Sequence, residues 1–300
     1  MPVRQSFQST SSRGLNLASP PMRLWQKAKK LGVWDPCDID LTQDRRDWER
    51  LPPPEQDLLL RLTSQFQAGE EAVTLDLLPL IGVVAAEGRL EEEMFLTSFL
   101  WEEAKHVETF RRFLDEVANH RSDLGEYHGP CYRQLFYEEL PAALGRLRED
   151  SSPLAQARAS VTYNLIVEGV LAETGYHTYY RTLRANNLMP GMQKAIDYLK
   201  RDESRHLAYG VFLLSRLVAV HGDPVWEAIR ERMQALIQLS LGLINETFAA
   251  YEVVPFGLKV EDFLQFAMTQ FEHRLTRVEK ARRQTLDEVM RGEGFEIAVE

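Results

Sequence analysis

From residue 53 onward apolar positions recur at helical spacing, and no stretch alternates strongly as a half-buried strand would. Pro53 and Pro54 stand where a helix can begin, with Glu55 and Asp57 suited to its first turn. Leu58, Leu62, Phe66 and Leu77 carry an apolar stripe to about Leu78, where Pro79 and Gly82 end or bend it. A second helix is predicted from Leu90 to about Val117, with Leu96, Phe99, Leu100, Val107, Phe110 and Leu114 on its apolar face. Gly125 to Pro130 marks a break, and shorter helical pieces follow to about Leu147. Ser151, Ser152 and Pro153 signal the start of a long helix from Leu154 to about Arg184. Pro190 and Gly191 open the next, to about Val220, and a turn at His221 to Pro224 leads into one from Val225 to about Tyr251. A last helix is predicted from Glu261 to Arg283. About seven helices joined by short turns imply an all-α bundle. No linker divides them. The expected organisation is one helical domain over 53–283, wrapped by residues 1–52 and followed by a tail over 284–300 that frays around Gly292, Glu293 and Gly294.

Composition narrows the classes. Of 300 residues, 44 % are apolar and 27 % charged, which supports a sizeable core in a soluble globular chain. A formal net charge of -10 disfavours nucleic acid and anionic lipid surfaces as partners. Cys37 and Cys131 have no zinc-type spacing and suggest no disulfide framework, so a reducing cytoplasm is the simplest compartment. No secretory signal is visible over Met1 to Ser19. The longest apolar run, Leu77 to Ala86, is far short of the ~20 residues a spanning helix needs, so no stable membrane insertion is expected. Arg4, Arg13, Arg23, Lys27, Lys29 and Lys30 lie in the first stretch without an acid and read as a solvated arm on the domain surface.

Two Glu-x-x-His units carry candidate chemistry: Glu103 with His106 in WEEAKH, and Glu203 with His206 in RDESRH. Residues three apart on a helix share a side, so each unit offers an oxygen and a nitrogen in one direction. Alone, such a unit is more often a surface hydrogen bond. Here each follows a further glutamate on the preceding long helix: Glu70 precedes Glu103 by 33 residues and Glu168 precedes Glu203 by 35. The pattern of a Glu, then Glu-x-x-His, occurs twice, as in bundles that hold two iron or manganese ions. Ile166, Val167, Val170 and Leu171 surround Glu168, and Phe99, Leu100 and Val107 lie near Glu103. Ionised carboxylates in such apolar surroundings are costly, and two divalent cations offset four of them. Mixed carboxylate and imidazole donors suit iron and manganese better than soft metals. Asp202 is either a carboxylate orienting a ligand histidine or a solvent-exposed residue. Tyr176, Tyr179 and Tyr180 read as core. His120, His128, His177, His221 and His273 lack a carboxylate constellation and read as structural or surface.

Taken with AGEEAVTLDLLP from Ala68, EEAKHVETF from Glu102, VTYNLIVEG from Val161, LAETGYH from Leu171 and DESRH from Asp202, these units carry a resemblance. The chain resembles the ferritin-like superfamily, and within it the ligand-binding oxidases named for their likeness to the ribonucleotide reductase small subunit. The likeness runs from about Leu15 through Arg283. It implies a ferritin-like four-helix core with additional helices, an oxygen-activating oxidase and a homodimer. It also implies a mixed metal site: manganese at Glu70, Glu103 and His106, iron at Glu168, Glu203 and His206, and Glu103 bridging, with a pair of irons as the alternative occupancy. A long-chain fatty acid would place its carboxylate at the metals. An ether cross-link would join Tyr163 to the β-carbon of Val73. Val73 is three residues after Glu70 and shares its helix face. Tyr163 is five before Glu168, which is not an aligned α-helical spacing, so its role rests on the resemblance. Oxidation of a hydrophobic substrate would follow from such a centre in an apolar pocket.

The alternative is a working ribonucleotide reductase small subunit. Phe110 stands four after His106, where that role usually places a radical-bearing tyrosine, and no tyrosine follows Tyr251 to relay a radical. A ferritin-like iron store or a plain helical interaction module fits less well, because the first needs a cage-forming surface and the second leaves the glutamates unexplained.

Overall fold

The computed structural model describes residues 6–292. Arg4 and the expected fraying of Glu293 and Gly294 lie outside the described residues. Among the described residues thirteen α-helices follow one another: α1 (Pro20–Leu31), α2 (Thr42–Trp48), α3 (Pro53–Asp76), α4 (Leu78–Ala86), α5 (Leu90–Arg112), α6 (Pro130–Arg133), α7 (Leu140–Gly145), α8 (Pro153–Ser160), α9 (Glu173–Tyr179), α10 (Pro190–His221), α11 (Asp223–Phe248), α12 (Val260–Glu279) and α13 (Leu286–Arg291). No strand occurs among the described residues, and the fold is the all-α, ferritin-like bundle that the apolar periodicity and the resemblance implied.

Several boundaries follow local chemistry. Pro53 and Pro54 open α3, where the missing N–H groups cost nothing. The Ser152 hydroxyl accepts the Ala155 N–H at the start of α8. Pro79 does not end the first long helix alone. The chain bends at Leu77 and α4 continues from Leu78.

The predicted helix from Leu154 to Arg184 is not one α-helix. Between α8 and α9 the chain winds as a π-helix over Val161–Ala172, and again over Tyr180–Arg184. Bonding from i to i+5 widens the coil, so residues five apart come round to nearly the same side. Further π turns span Phe113–Val117 and Gln134–Glu139.

The core of the bundle is α3, α5, the α8–α9 stretch and α10, with α11 and α12 laid against the π segment. The expected solvated arm is in part the helix α1. Its Met22, Leu24 and Ala28 are buried while Arg23, Lys29 and Lys30 face outward. Interleaving of apolar and basic positions along one amphipathic helix makes this stretch look like a charge run when read linearly. Helix α1 packs on α5 and α10, and Trp34 just beyond it is buried. No helix of the described residues is long and apolar enough to cross a membrane.

Candidate metal centre

Each of the four central stretches delivers acid or imidazole to one point. Glu70 comes from α3, Glu103 and His106 from α5, Glu168 from the π segment, and Glu203 and His206 from α10. All six are buried. Their donor atoms form two overlapping groups, Glu70 with Glu103, His106 and Glu203, and Glu103 with Glu168, Glu203 and His206; within each group the donors lie within 4.8 Å of one another.

The histidines set the frame. His106 Nδ1 is 3.4 Å from Glu70 Oε2, 3.4 Å from Glu103 Oε2 and 3.6 Å from Glu203 Oε1. His206 Nδ1 is 3.2 Å from Glu103 Oε1, 3.4 Å from Glu203 Oε2 and 3.7 Å from Glu168 Oε1. Glu103 and Glu203 therefore each turn one oxygen to either histidine. Both are placed to span two cations, whereas the sequence singled out Glu103 alone.

Behind each imidazole stands a carboxylate from the other helix pair. Asp202 Oδ2, on α10, is 3.5 Å from His106 Nε2. Glu102 Oε2, on α5, is 2.9 Å from His206 Nε2. Asp202 is fully buried, which removes the solvent-exposed alternative. These acids are in turn neutralised by Arg205, which donates to Glu102 at 2.6 Å and to Asp202, and by Lys105, which donates to Asp202 at 3.2 Å. The Trp34 indole N–H completes the set by donating to Asp202 at 2.7 Å. Sequence reasoning missed Glu102. The signal was available, because an acid directly precedes each Glu-x-x-His unit, Glu102 in one and Asp202 in the other.

Tyr163 meets the centre by way of the π-helix. Its hydroxyl donates to the Val73 carbonyl at 3.2 Å and reaches Glu103 Oε1 at 3.4 Å. The five-residue spacing to Glu168, misaligned on an α-helix, is close to one turn of the wider coil. On the same segment the Asn164 amide donates to Glu168 Oε2 at 3.0 Å. Tyr176, expected as core, is buried but also makes a polar contact with the centre, its hydroxyl donating to Glu203 Oε1 at 3.2 Å. Phe99 closes the other side, its ring stacked 3.6 Å from that of His206.

The electrostatics show what the donor set needs. Burial pushes the Glu70 carboxyl up to about 8, against the pull of His106. Burial and the neighbouring Glu203 likewise raise Glu168 well above the carboxylate range. Burial opposes charge on both imidazoles, yet the surrounding acids outweigh it and hold both well above an ordinary histidine. Hydrogen bonds to the two imidazoles draw Glu103 down in spite of its burial. Without cations the cluster thus balances itself with protons. Among the described residues Glu103 Oε2, Glu168 Oε1, Glu203 Oε2, His106 Nδ1 and His206 Nδ1 are buried without a hydrogen-bond partner, and these are the atoms that face one another. A pair of hard divalent cations fits this set: four carboxylates and two imidazoles, with a carboxylate bonded to the outer nitrogen of His206 and another 3.5 Å from that of His106.

A cleft enclosing about 750 Å³ of empty space, its open mouth included, has Glu70, Glu168 and Glu203 among its lining residues. Val73, Phe66, Leu62, Leu171, Leu243 and Ile244 supply apolar walls. Its polar lining residues are already engaged. Thr174 and Thr178 donate to backbone carbonyls, and the Gln65 amide donates to Thr247 at 3.0 Å.

Fold and site together define a dimetal carboxylate protein of the ferritin-like kind. The model of the ribonucleotide reductase small chain matches residues 21–279. The R2-like ligand-binding oxidase from Sulfolobus acidocaldarius is similar at 38 % identity, with a TM-score of 0.88, over 96 % of this chain and 99 % of that one. An R2-like ligand-binding oxidase with an aerobically reconstituted Mn/Fe cofactor is similar at 36 % identity and a TM-score of 0.87, over 92 % of this chain and 98 % of that one. A variant with a tyrosine changed to phenylalanine, also with the Mn/Fe cofactor, is 37 % identical with a TM-score of 0.86 over the same shares. The chain belongs to the ribonucleotide reductase small-chain family, and within it to the R2-like ligand-binding oxidases.

Proposed function

We propose that this chain is an oxygen-dependent oxidase that holds one manganese and one iron ion, binds a long-chain fatty acid over them, and links Tyr163 to Val73 through an ether bond. The observation that carries the reading is the meeting of six buried donors from four helical stretches, three of which, Glu70, Glu168 and Glu203, line an apolar cleft. Glu70, Glu103 and His106 would hold manganese and Glu168, Glu203 and His206 iron, with Glu103 shared and Glu203 equally placed to share; two irons are the alternative occupancy. The bound metal pair supplies the electrons that reduce O2 and the oxidising power to remove hydrogen from an aliphatic C–H.

The rest is work for the chain's own side chains. Glu102 accepts from the outer N–H of His206, and Asp202 stands 3.5 Å from the outer nitrogen of His106, which favours the ring state whose Nδ1 presents its lone pair inward. The Tyr163 phenol stays protonated at neutral pH, because burial and four nearby carboxylates raise it well above its ordinary value. Its nearest base is Glu103 Oε1. Forming the ether removes the phenolic hydrogen and one hydrogen from Val73, so the linked protein is lighter by two hydrogens. The apolar cleft admits an unsubstituted hydrocarbon tail, because its hydroxyls and amides are already satisfied, and it excludes water from the reacting atoms. We place the protein in the cytoplasm as a homodimer, for which sedimentation gives a direct check.

The test is peptide mass spectrometry after aerobic and anaerobic metal loading. A linked Val73–Tyr163 peptide appears only with oxygen. Unlinked peptides under full loading in air would sink the cross-link. The family model also covers working reductase subunits; Phe110, buried against Phe66 and Tyr179, gives that role no tyrosine. Co-purification with a large subunit would favour it.

A further inference from the structure

One cluster of aromatic and titratable groups has no part in this reading. Tyr132 lies on α6, and Tyr137 on the π turn Gln134–Glu139 that continues it. The wider coil brings these two residues, five apart, round to flank one imidazole, His128. Tyr132 is buried, lines the cleft, and donates to the Gln65 carbonyl at 2.8 Å. Its hydroxyl oxygen is 3.8 Å from where a Cβ on Gly69 would stand, next to Glu70 in sequence. The His128 ring stacks on Tyr132 with centroids 4.4 Å apart. On the other side His128 Nδ1 is 2.8 Å from the hydroxyl of Tyr137, a residue that is 53 % exposed.

The hydrogen bonds settle the tautomer. The Ser64 hydroxyl donates to the Leu124 carbonyl at 2.9 Å. Its oxygen is therefore the acceptor for His128 Nε2, 3.1 Å away. The imidazole hydrogen is on Nε2, and Nδ1 is left to accept from the Tyr137 phenol. Burial of His128 keeps the ring neutral, and so a base, at pH 7. The Arg133 guanidinium lies 5.3 Å from the Tyr137 ring, which makes a cationic phenol radical costly. An electron can leave Tyr137 readily only if its proton leaves too, and a base waits at hydrogen-bond distance.

We propose that Tyr137 and His128 form a second redox site, connected through the Tyr132 ring to the metal cleft, that discharges unspent oxidising power to the protein surface. The proposal takes its oxidant, the oxygen-oxidised dimetal centre, from the function proposed above. One electron passes from Tyr137 through Tyr132 and reduces that centre by one. The Tyr137 O–H bond breaks, an N–H bond forms at His128 Nδ1, and a neutral tyrosyl radical and an imidazolium result. A thiol in solution returns a hydrogen atom to the exposed phenoxyl, becoming a thiyl radical, and His128 releases its proton to water.

Two experiments separate the parts. In the metal-free full-length chain, photogenerated tris(bipyridine)ruthenium(III) oxidises tyrosine. The expected result is a tyrosyl radical in the paramagnetic resonance spectrum that Tyr137→Phe largely removes and that His128→Gln slows by roughly 10²-fold, as loss of a general base does. An unchanged signal in Tyr137→Phe, a folded surface change, would overturn the pair. In the chain loaded with manganese and iron and exposed to O2 without a hydrophobic substrate, the same radical is expected. Tyr132→Phe should abolish it there while leaving the photochemical radical intact. Normal O2 uptake with no Tyr137-dependent radical overturns the connection. Absent O2 uptake instead overturns the oxygen-activating reading, and the oxidant with it.

Discussion

Replacing Glu102 by glutamine tests the crossed support of the two imidazoles. Glu102 Oε2 accepts from His206 Nε2 at 2.9 Å while its other oxygen accepts from Arg205 at 2.6 Å. An introduced amide has one acceptor for two donors. If its oxygen keeps Arg205, its NH2 faces His206 Nε2 and favours the tautomer with hydrogen on Nδ1, the nitrogen that must face the cation. Loss of such an outer carboxylate costs about 10- to 100-fold in metal affinity, or roughly 1.4 to 2.8 kcal/mol. Asp202→Asn should act on the other imidazole. Its contact with His106 Nε2 is longer, 3.5 Å, so the loss should fall at the low end of that range. The assay is chelator competition after anaerobic loading with manganese and iron, read as each metal's content per chain. Glu102→Gln should release iron first and Asp202→Asn manganese first. Folding should survive both, because Arg205 keeps one of its two acidic partners in either case. Equal loss of both metals from each variant, or loss from neither, would refute the crossed arrangement.

Three further outcomes follow from the same geometry. At pH 7 the metal-free cluster holds protons on Glu70, which titrates at about 8, and on Glu168 and both histidines. Metal loading should therefore release several protons and tighten as pH rises through 8; calorimetry in buffers of different ionisation enthalpy reads the number, and net proton uptake would contradict it. The same raised Glu70 carboxyl means the folded metal-free state binds a proton that the unfolded chain has lost, so its contribution to stability fades as pH climbs from about 4.5 toward 8; denaturant midpoints of the metal-free chain with and without Glu70→Gln should converge at low pH. Phe99→Ala, which empties a fully buried site stacked on His206, should cost about 3 to 5 kcal/mol and lower the melting temperature by roughly 10 °C, with no shift meaning that the ring does not support the centre.

The six donors were legible because their spacing survives translation into structure. Glu-x-x-His puts two groups on one side of any α-helix, and α5 and α10 are α-helical through their motifs. Glu102 was overlooked because an acidic pair in a linear reading resembles a solvated helix face; its enclosure by Arg205 and His206 shows that it is not one. The limits of helical periodicity explain the other gaps. Counting by 3.6 predicts that Tyr163 and Glu168 diverge, and the same count separates Tyr132 from Tyr137. Both pairs converge because the chain switches to i+5 bonding over Val161–Ala172 and Gln134–Glu139. Such a switch lies in how neighbouring elements pack, not in propensity, and tends to mark functional positions. Trp34 was hidden differently: it precedes every predicted helix, and its role depends on where α1 carries it.

Charge balance ties these parts into one argument. Six acids ring the centre: Glu70, Glu102, Glu103, Glu168, Asp202 and Glu203, all buried. Two of them, Glu102 and Asp202, are matched by the buried cations Arg205 and Lys105. The remaining four are the inward-facing glutamates, and two divalent ions equal their charge. The chain thus separates a permanent outer layer, neutral in itself, from an inner layer that is neutral only when protons or cations occupy it. Oxidation of a metal pair held there, as proposed, would add positive charge that no further side chain in this ring can meet. An anion entering by the apolar cleft could meet it, since Glu70, Glu168 and Glu203 line that cleft. This supplies an electrostatic reason for the proposed fatty acid to bind through its carboxylate as well as its apolar tail. A neutral alkane or alcohol of equal length should therefore bind the oxidised protein more weakly than the acid, and the preference should shrink in the reduced one.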